Sequence, residues 1–295
     1  MLRCVHGGSA LALGILGAGT AWAQTYDATM VSDSPLGYWT LASTNGTSLT
    51  GGYSSTYLNG ATTSAPGTGI TLAGSPSNSA LSLDGNNSTP QYAATGLSGG
   101  ISGTGSIVAW VNLAALPSAS GTYFYIAGES EVGNDFDLQF QNDNTLYFYT
   151  GAGENTSYTP NPSTLVSQWN QIVVTYAGGP SGFRDIYWDG TLAATFSGSV
   201  NAAAKSSAFN IGYSTVFPGR DFNGLIDNVA VLGSVLSPGQ VTQLYALAVP
   251  EPSTCALMAL GVAAVALVRA RRRRRGLDYW IPTEPRTLSK RRLES

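Results

Sequence analysis

Residues 24–248 are predicted to form an all-β domain, an antiparallel sandwich that ends in one short helix. Three observations predict it. Short apolar or aromatic runs recur between turn-forming residues; helical periodicity is nearly absent; and Asp189-Gly190 separates two such runs with residues that tolerate positive φ. A second, apolar helix is expected well beyond the domain, at Cys255–Val268.

The elements follow in order. Leu36–Leu41, Ile70–Leu72 and Ala80–Leu83 are strand-like islands in a Ser-, Thr-, Gly- and Asn-rich opening. From Ser106 the pattern strengthens into seven strands: Ile107–Leu113, Tyr123–Ala127, Phe136–Phe140, Leu146–Tyr149, Gln171–Tyr176, Ile186–Trp188 and Leu192–Phe196. Asn142-Asp143-Asn144 supplies a turn between two of them. The only helix expected in the domain begins at Ser237-Pro238-Gly239-Gln240. Ser caps it, Pro takes the first helical position and Gln stands at N3 before Val241–Leu247. Trp39, Trp110, Trp169 and Trp188 are assigned to the core.

The chain has 295 residues, with 14 Lys and Arg, 17 Asp and Glu, one His and two Cys. His6, Cys4 and Cys255 all lie outside residues 24–248. That segment therefore has no Ser-His-Asp or Cys-His chemistry, no His- or Cys-ligated zinc and no internal disulfide. Its bases are Arg184, Lys205 and Arg220 against thirteen carboxylates, a net charge of −10. So few bases also exclude nucleic acid as a partner, because phosphate neutralisation needs clustered Lys and Arg.

Both ends read as addresses. Arg3, the small apolar run Ala10–Ala18 and Ala21-Trp22-Ala23 make residues 1–23 a signal peptide with Gln24 as the mature start. At the other end, Pro250-Glu251-Pro252 leads into the uncharged run Cys255–Val268, followed by Arg269 and Arg271–Arg275. Fourteen residues reach about 21 Å, short of the roughly 30 Å of hydrocarbon, so only a transient inner-membrane anchor is expected. Residues 249–275 resemble the PEP-CTERM sorting signal of Gram-negative bacteria. The resemblance implies an exosortase-type processing protease and delivery to the cell surface or extracellular matrix. Residues 276–295 continue as a basic tail, expected to be disordered.

Six segments in chain order resemble laminin G-like domains of the concanavalin A-like lectin/glucanase type. They are Ser34–Leu41, Ala80–Gly85, Ser106–Val111, Gln168–Tyr176, Ile186–Gly190 and Phe222–Val229. The resemblance implies a jelly roll of two curved sheets with the first and last strands adjacent. It also implies a Ca²⁺ ion at the sandwich rim, with Asp84 and Asp227 as expected ligands, since Ca²⁺ takes oxygen donors. The alternative is that Asp84 caps a turn and Asp227 accepts backbone hydrogen bonds.

Three functions remain in play. A non-catalytic domain binding polysaccharide or matrix material would present exposed aromatics, and Tyr147, Tyr149 and Tyr187 are the candidate sugar contacts; Tyr123 and Tyr125 also share a strand face. A structural adhesion protein would engage protein partners through its loops. A glycoside hydrolase would need two carboxyl groups about 5–5.5 Å or 6.5–9.5 Å apart. Its candidates are Glu129, Glu131, Asp135 and Asp137, whose spacing departs from the glucanase pattern E-x-D-x-x-E.

Overall fold

The computed structural model describes residues 25–43, 48–73, 79–99, 101, 103–132, 135–151, 154–201 and 207–248. The expected signal peptide, the sorting motif Pro250-Glu251-Pro252, the apolar helix and the tail lie outside them. Among the described residues no helix is long and apolar enough to cross a membrane.

Period-two alternation sets the layers. One sheet combines β1 (Gly37–Trp39), β3 (Thr62–Thr63), β4 (Leu81–Asp84), β6 (Thr104–Leu113), β11 (Asn170–Ala177), β12 (Gly179–Trp188), β13 (Thr191–Val200) and β15 (Asn223–Leu232). Its order is β13-β12-β11-β6-β15-β4-β3, with β1 also paired to β15. The other sheet has the order β10-β9-β8-β7-β14-β5-β2. These strands are β2 (Thr56–Leu58), β5 (Tyr92–Ser98), β7 (Phe124–Glu129), β8 (Phe136–Phe140), β9 (Leu146–Gly151), β10 (Glu154–Tyr158) and β14 (Ala208–Ile211). Every pairing within the two sheets is antiparallel. The first strand lies beside the last, Tyr38 opposite Ala230, as the resemblance implies.

Between the sheets, every second residue meets its counterpart from the other sheet. Ile107, Ala109 and Val111 of β6 and Ile172 and Val174 of β11 share a core with Phe136, Leu138 and Phe140 of β8 and with Phe148 of β9. Arg184 of β12 is 2 % exposed yet fully engaged. It donates to Thr150, Thr156, the Asn155 carbonyl and, at 3.1 Å, Glu154, tying the two sheets together at one edge.

A second core forms on the far side of the eight-stranded sheet. Val108, Trp110, Val173, Tyr187, Ala230 and Leu232 point outward there. They are covered by α1 (Tyr26–Ser32), α3 (Pro238–Ala246) and the segment around Ile70 and Leu72. Two shorter pieces also form, a four-residue turn of helix, α2 (Pro117–Ser120), and a 3-10 turn at Pro162–Thr164.

The capping box appears as read. Ser237 and Gln240 satisfy each other's backbone N–H groups at the start of α3. The Asp189-Gly190 turn has φ of 48° and 75°, and it places Trp188 opposite Thr191. Gly190 is also needed for space, because a Cβ there would come within 2.8 Å of Tyr245.

Three elements differ from expectation. Helix α1 forms where none was expected: Thr25 caps it by accepting from Ala28 N–H, and Tyr26 and Met30, one turn apart, bury against the sheet. Ile70–Leu72 forms no strand; it lies over the second core, and Ile70 N–H donates to Asp227. Trp169 and Trp188 pack against the cores only half-buried, whereas Trp39 and Trp110 are enclosed.

Candidate functional site

The solvent side of the seven-stranded sheet carries polar and aromatic residues rather than a second apolar layer. Along β9, Leu146 and Phe148 face the core, so Tyr147 and Tyr149 face out. Their rings stack on each other at 5.7 Å and 16°, both half-buried. Gln141 Nε2 donates to Tyr149 Oη at 2.7 Å. Gln139 of β8 stands opposite Tyr147 of β9 and opposite Tyr125 of β7, so one row of side chains pointing away from the core crosses three strands.

Arg220 arrives from the loop between β14 and β15. It donates to Gln139 Oε1 at 3.1 Å and lies over the rings of Phe217, at 4.2 Å, and Tyr123, at 5.4 Å. Beside it is an open hollow of about 450 Å³, lined by Tyr123, Asn142, Phe217, Pro218 and Arg220 among others. Aromatic faces, amides and a guanidinium around a hollow of this size suit a neutral, hydroxyl-rich ligand. Sequence reading missed Arg220, Phe217, Gln139 and Gln141. The signal available was that Arg220 is one of three bases between residues 24 and 248, set in a Pro-Gly turn.

The same face of β8 also carries a carboxyl closed off from solvent. Asp137 is fully buried, and Ser130 Oγ lies 3.2 Å from both its Oδ2 and Tyr125 Oη. Burial, then the neighbouring Asp135, pushes the Asp137 carboxyl up to about 7 against the pull of Arg220 and Ser130. The other catalytic candidates are dispersed. A bulge between Tyr125 and Ala127 shifts the phase of β7, so buried Glu129 falls in register with core residues Phe136 and Phe209. Glu131 lies past the end of β7, where its Oε1 accepts Ser207 N–H. The four carboxylates therefore do not share one face.

The two expected calcium ligands are not brought together. Asp84 sits exposed at the end of β4, accepting from Asn86 N–H and Gln91 Nε2. Asp227 is buried behind the eight-stranded sheet, opposite Trp110. Asn228 has φ of 49°, and the ladder shifts register here, so its amide turns onto Asp227 Oδ1 at 2.8 Å while Ile70 N–H reaches Oδ2. Burial raises the Asp227 carboxyl well above the usual range, and these donors pull the other way. Among the described residues, no three His, Cys, Asp or Glu side chains gather as a metal site. Tyr187 also needs correcting as a sugar contact. It is 4 % exposed in the second core, because α3 covers its face of the sheet.

Comparisons with known proteins agree with this architecture. Residues 84–242 match the concanavalin A-like lectin/glucanases superfamily, and residues 248–274 match the PEP-CTERM protein-sorting motif. No curated protein sequence matches the chain. Among solved structures, domain 4 of AbnA, an extracellular arabinanase from Geobacillus stearothermophilus in complex with arabinotriose, is 17 % identical with a TM-score of 0.51. The alignment covers 72 % of this chain and 98 % of that one. The binding domain of botulinum neurotoxin serotype D is 15 % identical with a TM-score of 0.52, over 74 % of this chain and 52 % of its own. A Trypanosoma rangeli sialidase mutant is 16 % identical with a TM-score of 0.50, over 71 % of this chain and 32 % of its own. At these identities the likeness shows the fold alone. The PEP-CTERM motif marks a protein exported and sorted to the cell surface, and it implies processing by an exosortase, a membrane protease. The chain belongs to the concanavalin A-like lectin/glucanases superfamily, as a laminin G-like domain followed by a PEP-CTERM sorting motif.

Proposed function

We propose that this domain is a non-catalytic, surface-sorted module that binds extracellular polysaccharide on the outward face of its seven-stranded sheet. The observation that carries the proposal is the half-buried, mutually stacked Tyr147–Tyr149 pair, flanked by Gln141 and by the hollow under Arg220. Two tyrosines already ordered against each other offer a flat apolar surface to a sugar ring at little entropic cost. The nearby amides and the guanidinium then supply hydrogen bonds to hydroxyls. The AbnA domain, crystallised with arabinotriose, lends support as a sugar-complexed domain of the same fold.

A hydrolase reading has one observation in its favour, the raised carboxyl of Asp137 beside Asp135. Against it, Asp137 is fully buried and closed to a glycosidic bond. Retention of the purified protein on a panel of immobilised bacterial and plant polysaccharides, arabinan included, tests the proposal. One glycan class should be retained, unhydrolysed. Y147A/Y149A should then weaken binding about tenfold or more while the melting temperature stays within a few degrees. A well-folded protein that binds none of them would favour an adhesion role with protein partners.

A further inference from the structure

The roof over the eight-stranded sheet stops short of one row of side chains. Alternation along β6 points Val108 and Trp110 outward, and Asn112 follows them in phase. On β15 and β4 the matching outward residues are Leu225 and Ser82, since Ile226, Leu81 and Leu83 join the central core. Leu225 stands opposite both Asn112 and Ser82, so the three form one row across β6, β15 and β4. All three are half-buried, whereas Trp110 and Asp227, in the neighbouring roofed row, are enclosed.

This row lines an open hollow of about 370 Å³, together with Thr68 and Ser167. Its volume falls within the range of small-molecule sites, about 300–1,000 Å³, and no residue lining it is charged. The side chains of Ser82, Asn112 and Ser167 hydrogen-bond none of the described residues, so two hydroxyls and an amide are left to serve a ligand. Ser167 also holds φ of 59°, a left-handed conformation that costs a serine free energy. It is kept there by its N–H, which donates to the Leu113 carbonyl at 2.9 Å, next to the parallel bridge between Leu113 and Val166. The strain is spent where a hydroxyl borders the hollow.

We propose that this hollow is a second ligand site, one that takes a neutral sugar residue. Serine hydroxyls and the asparagine amide both donate and accept, as sugar hydroxyls do, and Leu225 offers apolar contact to a C–H face. An uncharged lining gives an ionised group nothing to offset its desolvation, which selects against charged ligands. The hollow lies on the outward face of the eight-stranded sheet and the tyrosine pair on that of the seven-stranded sheet, so the two sites look in opposite directions. One domain can then bridge two polysaccharide chains. That bridging rests on the polysaccharide reading above; the hollow itself does not.

Calorimetric titration of the purified protein with arabinotriose, xylotriose, cellotriose and mannotriose tests it. Light scattering on mixing with the matching polysaccharide gives a second reading. Wild-type protein should take up two trisaccharides per chain, and Y147A/Y149A should keep one of them. N112A should weaken that retained site about tenfold and S82A about fivefold, each with a melting temperature within a few degrees of wild type. Scattering should rise with wild-type protein and with neither Y147A/Y149A nor N112A; no rise with wild type overturns the bridging. The second site is overturned, and the tyrosine patch upheld, if Y147A/Y149A loses all binding or if N112A and S82A both bind as wild type does. Binding lost in N112A and untouched in Y147A/Y149A overturns the tyrosine patch instead and upholds the hollow. A folded protein that takes up none of the trisaccharides overturns both.

Discussion

The two outward faces of the sandwich begin from the same strand alternation and end differently. On the eight-stranded sheet, Tyr187 and Trp110 point away from the central core and are roofed by helices. On the seven-stranded sheet, Tyr147 and Tyr149 point away equally and remain half open, with Gln139, held by Arg220, beside Tyr147 in the same row. A strand's outward tyrosine is thus a core residue or a binding residue according to what packs over it. The roof is specific: Trp110 stacks on Tyr245 of α3 at 6.0 Å and donates to Tyr26 Oη of α1 at 3.1 Å.

The sharpest break between the faces comes from removing a large side chain on each. Trp110→Ala leaves a cavity under the roof and should cost about 3–5 kcal/mol, read as a fall of roughly 6–20 °C in melting temperature. Tyr147→Ala should cost about 1 kcal/mol or less in the same measurement, with its main effect on sugar retention. Similar losses from both would mean the tyrosine patch is structural.

The next effect lies at Asp137, buried on the open sheet's outward face. Asp137 keeps its proton in the folded protein up to about pH 7, whereas an unfolded chain releases it near 3.8. The folded state therefore binds more protons between those values, and the contribution is full below the lower pKa and lost as pH rises through the upper one. In EDTA, denaturant titrations from pH 4 to 8 should show stability declining with pH, and D137N should flatten part of that decline. An unchanged slope would place the titration elsewhere. The smallest effect tests whether the faces are independent: Ser237→Ala removes the α3 cap and should cost about 1 kcal/mol while leaving polysaccharide affinity unaltered.

Much of the fold was legible because local chemistry decided it. Asp-Gly at 189–190 admits the positive φ of a tight hairpin, Ser237 and Gln240 form a reciprocal cap, and Ser106–Val111 alternates cleanly between two apolar layers. Helix α1 was less legible, since seven residues containing Thr and Val have weak helical propensity and owe their helix to Tyr26 and Met30 packing on the sheet. The candidate sites were legible only in part. Tyr147 and Tyr149 were found from strand phase, but Tyr187 has the same phase signal and the opposite surroundings. Asp227 resembled a metal ligand until Ile70 and Asn228 took its oxygens.

The sequence by itself determined the strand alternation, the turns, the late helix, the absence of His and Cys chemistry from residues 24–248, and the C-terminal sorting motif. These rest on interactions within a few residues or on composition, which no packing can alter. Only the tertiary structure decided which sheet face is roofed and which loop carries Arg220 to Tyr123 and Gln139. Each of those depends on contacts between segments tens to hundreds of residues apart, and period-two patterning is blind to what will cover an outward side chain.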